Sequence, residues 1–163
     1  MKKLTLMCGL PGSGKSYWAK MHKNENEFII NRDKIRIMLN GKYIVGSKIE
    51  DRIQRIALRM AKEVLRSGHD VIIDELNISK RTRSFWISNL MDGIFCDKCE
   101  IICFNPADIE IHVHNRMLES MGYTEEKWRE IIQSMNNRFD IPTPSEGFIN
   151  TTFIDVYNYA GEK

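Results

Sequence analysis

The sequence predicts an α/β fold, a parallel sheet of about five strands with helices on both faces. Three observations carry this prediction. Short apolar runs suited to buried strands recur along the chain, and they alternate with segments whose apolar residues fall three or four apart. That alternation is the pattern of a parallel sheet built from strand–helix–strand crossovers. A length of 163 residues fits one core, so residues 1–163 are read as a single domain. With 42% hydrophobic residues, 28% charged residues and four prolines, disordered, collagen-like and coiled-coil chains are excluded.

Lys2 to Cys8 is the first strand, closed by Gly9, and Trp18 to Met21 shows helical spacing: strand, glycine turn, helix. Glu27 to Asn31 reads as a strand and Asp33 to Leu39 as a short helix, with Gly41 and Gly46 in the loop beyond. The clearest helix follows, because Ile49, Ile53, Ile56, Met60, Val64 and Leu65 form one apolar stripe that stops at Gly68. Val71 to Asp74 is a buried strand closed by acids, Arg81 to Met91 a helix, and Glu100 to Phe104 a further strand. Helices begin at Ala107 and Thr124, separated by Met121-Gly122-Tyr123, and Thr151 to Tyr157 closes the chain as a strand.

The charge balance, 24 Lys and Arg against 22 Asp and Glu, does not announce a nucleic-acid or membrane partner, so partners are argued from sites. Met1-Lys2-Lys3 with the apolar run behind it fails as a signal peptide. Pro11 to Lys15 interrupts the apolar stretch, and Met7-Cys8 suits no small-residue cleavage site. No run approaches the ~18–20 residues of a membrane span, so no membrane contact is expected. A cytoplasmic chain with reduced Cys8, Cys96, Cys99 and Cys103 is expected.

The strongest signal is Gly9-Leu10-Pro11-Gly12-Ser13-Gly14-Lys15-Ser16, which fits G-x-x-x-x-G-K-[ST] between a strand and a helix. Its glycines free the backbone to wrap a polyphosphate with N–H groups and a helix N-terminus. Lys15 is expected on the β- and γ-phosphates of ATP or another nucleoside triphosphate, and the Ser16 hydroxyl on Mg²⁺. Asn31 to Lys34 holds the letters of a guanine-reading N-K-x-D motif in the wrong order, so guanine selectivity is not expected. Asp33 and Arg36, three apart at a helix start, share a face beyond a strand's carboxyl end, where ligands collect. Asp33 is a candidate base for an acceptor hydroxyl and Arg36 a candidate clamp for an acceptor phosphate; the alternative for Asp33 is to cap its helix.

Gly9 to Ser16, Asn31-Arg32-Asp33 with Arg36, and Asp74-Glu75-Leu76-Asn77 with Arg83 and Trp86 together resemble the 5′-hydroxyl polynucleotide kinase domain of phage and bacterial end-healing enzymes. The resemblance runs from residue 1 to about residue 140 and implies a P-loop kinase fold with an α-helical lid, here about residues 109–128. It implies that Asp33 deprotonates a 5′-OH and that Arg36 binds the phosphate 3′ of the terminal nucleoside. Asp74 is expected to order the metal's water shell, and Asn77 and Arg83 belong to the substrate-binding set. The family carries D-x-T-N where this chain has Leu76 in third place, and Asn77 as a plain turn residue is the alternative. Arg116 matches the first lid arginine, as a phosphate clamp or an adenine platform. The further arginine expected about four residues on is replaced by Glu119, Ser120 and Met121, with Arg129 or Arg138 as possible substitutes.

Two other patterns have bland readings. Arg52, Arg55, Arg59, Lys62 and Arg66 form a basic ridge that could track a nucleic-acid backbone but matches the charged outside of an amphipathic helix. Cys96 and Cys99 have zinc-knuckle spacing with His112 and His114 downstream, yet one pair does not make a site, and histidines two apart on a helix diverge. The expected function is Mg²⁺- and ATP-dependent phosphorylation of 5′-OH ends of DNA or RNA; the alternatives are a small-molecule kinase or a non-catalytic nucleotide-binding module. No D-x-D phosphatase motif or ligase region is found, so 3′-end processing is expected from another polypeptide.

Overall fold

The structure is a computed structural model that describes residues 1–41, 47–91, 94–119 and 122–156. Among these residues five strands, β1 (Lys3–Cys8), β2 (Glu27–Ile30), β3 (Asp70–Ile73), β4 (Lys98–Asn105) and β5 (Asn150–Asp155), form one sheet in the order β2-β3-β1-β4-β5. Every pairing is parallel, with Leu6 beside Ile73 on one flank of β1 and Cys8 beside Cys103 on the other. The chain leaves β1 toward β2 and β3, then crosses back to β4 and β5. This reversal opens a crevice at the carboxyl end of β1, the place where open α/β sheets bind ligands.

Among the described residues the α-helices are α1 (Lys15–His22), α2 (Arg32–Asn40), α3 (Ser47–Arg66), α4 (Lys80–Leu90), α5 (Ile109–Met117) and α6 (Glu125–Asn136). Alternation along β1 divides the core, because neighbouring side chains leave opposite faces. Leu4, Leu6 and Cys8 join Ile53, Ala57, Leu65, Trp86 and Leu90 of α3 and α4 on one face, whereas Met7 packs with Ala19 of α1, Ile72, Ile102 and Phe104 on the other. A third cluster joins Leu10, just after β1, to Val113 of α5 and Trp128 and Ile132 of α6. The lid helices therefore share a core with the loop that follows β1.

The element boundaries have local causes. α5 starts at Ile109 instead of Ala107 because Asp108 caps it, its Oδ1 accepting the Glu110 N–H at 2.8 Å. α3 ends before Gly68, whose left-handed φ of 89° closes the helix by donating to Leu65 O. Gly46 and the far end of the last expected strand, Tyr157, lie outside the described residues, as do Ser120 and Met121 of the lid. Among the described residues no helix is long and apolar enough to cross a membrane.

All four cysteines are buried free thiols. Cys96 Sγ donates to Leu90 O, His112 is used elsewhere, and no group of three or more His, Cys, Asp or Glu able to hold a metal occurs among the described residues; Cys96 and Cys99 pack in the core. On the basic ridge, Lys62 and Arg66 lie over the ring of Phe95, 4.6 and 4.9 Å from its centroid, and none of the five residues lines the cleft described below.

Candidate active site

Residues 9 to 16 wrap the carboxyl end of β1 and run into α1. Gly12 and Gly14 have φ of 71° and 90°, which a side chain would strain. At Gly12 the constraint is also steric, since a Cβ would stand 2.2 Å from the carbonyl oxygen of His112. The lid helix α5 thus lies directly on the loop. Two side chains fix that contact. Asn115 Nδ2 donates to Gly12 O at 3.0 Å, and the buried His112 ring spans Pro11 O at 3.0 Å and the Ala107 N–H at 3.1 Å. Because Nε2 accepts from Ala107, Nδ1 is the protonated nitrogen that donates to Pro11; burial, the largest influence, holds the ring below the ordinary histidine pKa. No motif in the sequence marks either residue.

Lys15 is buried at the centre of the loop, its Nζ donating to Gly9 O at 2.8 Å, Leu10 O at 2.7 Å and Ser13 Oγ at 3.0 Å. Burial lowers its pKa to about 8, partly opposed by the Asp74 carboxylate. Asp74 follows β3, is 3% exposed, and accepts from Asn31 Nδ2 at 2.8 Å. Ser16 and Asp74 border the same cleft, a space of about 560 Å³ that reaches from the loop to Asp33, Arg36, Glu75 and Arg116. That volume lies in the range of small-molecule sites.

Asn31 settles the question of the cap. Its Oδ1 accepts the Lys34 N–H at 3.0 Å, so Asn31 and not Asp33 caps α2. Asp33 sits in the first turn with its side chain 43% exposed, ion-paired to Arg36. Arg36 is 6% exposed, and Glu50 of α3, a residue the sequence did not single out, accepts from its Nε at 2.6 Å and from its Nη2. Glu75, next to Asp74, is buried against Arg32 with 2.6 Å between Nε and Oε1. Desolvation raises its pKa to about 7, against the pull of Arg32 and a hydrogen bond with Trp86.

Two members of the expected substrate-binding set are placed elsewhere. Arg83 is fully buried; its Nε and Nη2 grip Glu146 at 2.7 and 2.9 Å, and its Nη1 donates to Asn77 O and Asp140 O. A guanidinium committed in this way holds the loop after β3 to the segment after α6 and does not line the cleft. Asn77 takes a left-handed φ of 45°, donates from Nδ2 to Met7 O at 2.9 Å, and is buried off the cleft. That left-handed backbone is the conformation a turn residue takes. The proposed substitutes for a second lid arginine also point away: Arg129 is tied to Glu110 and Glu125, Arg138 to Ser134, and neither lines the cleft. Arg116 does line it, ion-paired with Glu119 and stacked over Trp128.

A loop of this geometry on this sheet order is a P-loop nucleotide site, and the AAA domain family matches residues 4–142. The chain belongs to the AAA domain family. This AAA domain is 23% identical over 168 aligned residues, 97% of its own length, to a bifunctional polynucleotide phosphatase/kinase of Schizosaccharomyces pombe. Its fold matches a chain in the structure of the Pnkp1/Rnl/Hen1 RNA repair complex with a TM-score of 0.64 and 25% identity over 86% of this chain. The domain spans 37% of the first protein and 48% of the second. A gluconokinase from Sinorhizobium meliloti 1021 shares the fold, with a TM-score of 0.57, 17% identity, and coverage of 94% of this chain and 82% of that one. The domain is a P-loop kinase fold that resembles polynucleotide kinases.

Proposed function

We propose that this AAA domain transfers the γ-phosphate of ATP to the 5′-OH end of DNA or RNA. The observation that carries the reading is the placement of Asp33: relieved of capping by Asn31, its carboxylate opens on the cleft that the P-loop borders, beside Arg36. The likeness to the phosphatase/kinase and to the RNA repair complex supports a polynucleotide acceptor.

The P-loop N–H groups and Lys15 hold the triphosphate, with Lys15 Nζ exchanging its carbonyl partners for β- and γ-oxygens. Ser16 and Asp74, a hydroxyl and a carboxylate, form the hard-oxygen donor set that Mg²⁺ prefers, and Asn31 fixes the carboxylate's orientation. Bound there, the ion neutralises phosphate charge. Asp33 accepts the proton of the attacking hydroxyl, and Arg36, braced by Glu50, meets the phosphate 3′ of the terminal nucleoside. Arg116 meets charge on the transferring phosphoryl from the lid side.

The test compares acceptors. A nucleoside 3′-monophosphate or a longer 5′-OH strand should be phosphorylated well and a plain nucleoside poorly. Arg36→Ala should lower kcat/KM for the phosphate-bearing acceptors roughly ten- to a hundredfold while leaving nucleosides little changed. Salt is held fixed, because phosphate contacts weaken as it rises. Equal use of nucleoside and nucleoside 3′-phosphate by the unaltered protein moves the reading to a small-molecule kinase.

A further inference from the structure

We propose that Trp128 is the positioning residue of the lid arginine, its indole face holding the Arg116 guanidinium beside the P-loop, and that Glu119 is the internal anion which the nucleotide's phosphates displace from it. The inference rests on the reading of Arg116 as a phosphate ligand and adds to it the means by which one arginine, without help from Arg129 or Arg138, is kept in place.

The guanidinium carbon of Arg116 stands 4.5 Å from the centroid of the Trp128 ring, within cation–π range, and tryptophan has the strongest π-face for such a contact. The platform is rigid. Trp128 is 4% exposed, packed in one cluster with Leu10 of the P-loop, Val113 and Ile132, and met edge-on by Tyr123 at 5.2 Å. Its ring is therefore fixed relative to the loop that would hold the phosphates. The backbone agrees, since the Arg116 nitrogen would lie 3.3 Å from a Cβ at Gly12. Arg116 itself has a side chain only 12% exposed, and its buried Nε has no hydrogen-bond partner. On that side the π-face, and not a chain of acceptors, holds the cation.

Glu119 differs from Trp128 in kind. Its side chain is 58% exposed, and it reaches Arg116 from three residues along the chain. Water reaches the glutamate side of this pair and screens it, so a polyphosphate with several oxygens outcompetes a single carboxylate for the guanidinium. The opposite effects of Arg116 and Glu119 on the Lys15 ammonium place both charges within electrostatic reach of the loop. Exchanging Glu119 for phosphate leaves the guanidinium plane on the indole, so the arginine changes partner without losing its seat.

The experiment is a set of double-mutant cycles read by Mg·ATP affinity, ATP-dependent transfer rate and the thermal midpoint without nucleotide. Trp128→Leu should cost transfer roughly three- to thirtyfold, the range of a partly desolvated cation–π contact, and Trp128→Phe should recover most of it. In an Arg116→Ala background Trp128→Leu should add less than about twofold, because its partner is gone. Glu119→Gln, a surface change that does not threaten folding, should tighten Mg·ATP by about two- to fivefold, a gain that disappears with Arg116→Ala. If Trp128→Leu does not fold, Trp128→Met, which also fills the site without a π-face, carries the same cycle with Arg116→Ala. Effects of Trp128 that multiply with Arg116→Ala, or a Glu119→Gln variant that binds no tighter, overturn the assignment while the reading of Arg116 stands. An Arg116→Ala variant with unchanged affinity and rate overturns both.

Discussion

The P-loop and the lid face one cleft but are held there by different means. In the P-loop, Gly9 to Ser16 form one unbroken strand–turn–helix unit, and Lys15 is placed by backbone carbonyls six and five residues behind it. In the lid, Arg116 depends on a ring from the next helix and on a glutamate, and its helix is seated by His112 and Asn115. The difference teaches which chemistry a sequence displays. Where the backbone makes the site, spacing and glycine identify it; where side chains from separate elements make it, spacing carries little.

The largest expected effect strikes the backbone-built half. Lys15→Ala should abolish transfer and remove thermal stabilisation by Mg·ATP, which scales with RT ln(1 + [L]/Kd), while the unliganded protein stays folded. Removing a buried ammonium that burial already disfavours should cost the fold little. The same residue sets a pH dependence. The phosphates select the charged form, and the pKa is lowered to about 8, so Mg·ATP affinity should be flat below about pH 8 and fall above it. The limiting slope is about tenfold per pH unit. Undiminished stabilisation by Mg·ATP in a folded Lys15→Ala variant would falsify the assignment, and an affinity that rises above pH 8 contradicts its protonation state.

Asp33 gives the next largest effect and tests the acceptor half. Since Asn31 supplies the cap, Asp33→Asn leaves the end of α2 intact and removes only a proton acceptor and one partner of Arg36. Turnover should drop by about two or more powers of ten with a nearly unchanged thermal midpoint. Normal turnover per folded molecule with a lowered midpoint would assign Asp33 a structural role instead.

The five strands, their parallel direction and the P-loop were legible because apolar runs, helical spacing and glycine placement act over a few residues, whereas the order of the strands in the sheet was not. Asp33 was legible as a candidate, yet its freedom from capping was not, because Asn31 and Asp33 are equally good caps on paper and only the backbone shows which one is used. Arg36 and Arg83 show the same limit. Both are arginines near helix starts, and both are buried; the acids that separate their roles, Glu50 and Glu146, come from other elements. His112 was read with the cysteines because imidazole suggests metal, whereas the fold uses both its nitrogens on backbone groups. Long-range partners of this kind leave no mark on local spacing.

Glu75 offers the smallest effect and the finest test, since it stands at the end of β3 beside Asp74 without a motif of its own. Its pKa is raised to about 7, chiefly by burial, from an ordinary value of 4.5. The folded chain then binds more protons than the unfolded chain between these values, so Glu75 makes stability fall as pH rises from about 4.5 to about 7. Glu75→Gln keeps an acceptor for the Trp86 N–H and the side chain's shape while removing the titration. Urea unfolding at pH 5 and pH 8 should show the unaltered protein losing about 2–3 kcal/mol more than the variant over that interval, with the two closest at the acid end. Every other titrating group is common to both proteins, so the difference between the two pH dependences isolates Glu75. Parallel stability curves would show that Arg32 keeps Glu75 charged throughout and that the cleft carries one more permanent negative charge beside Asp74.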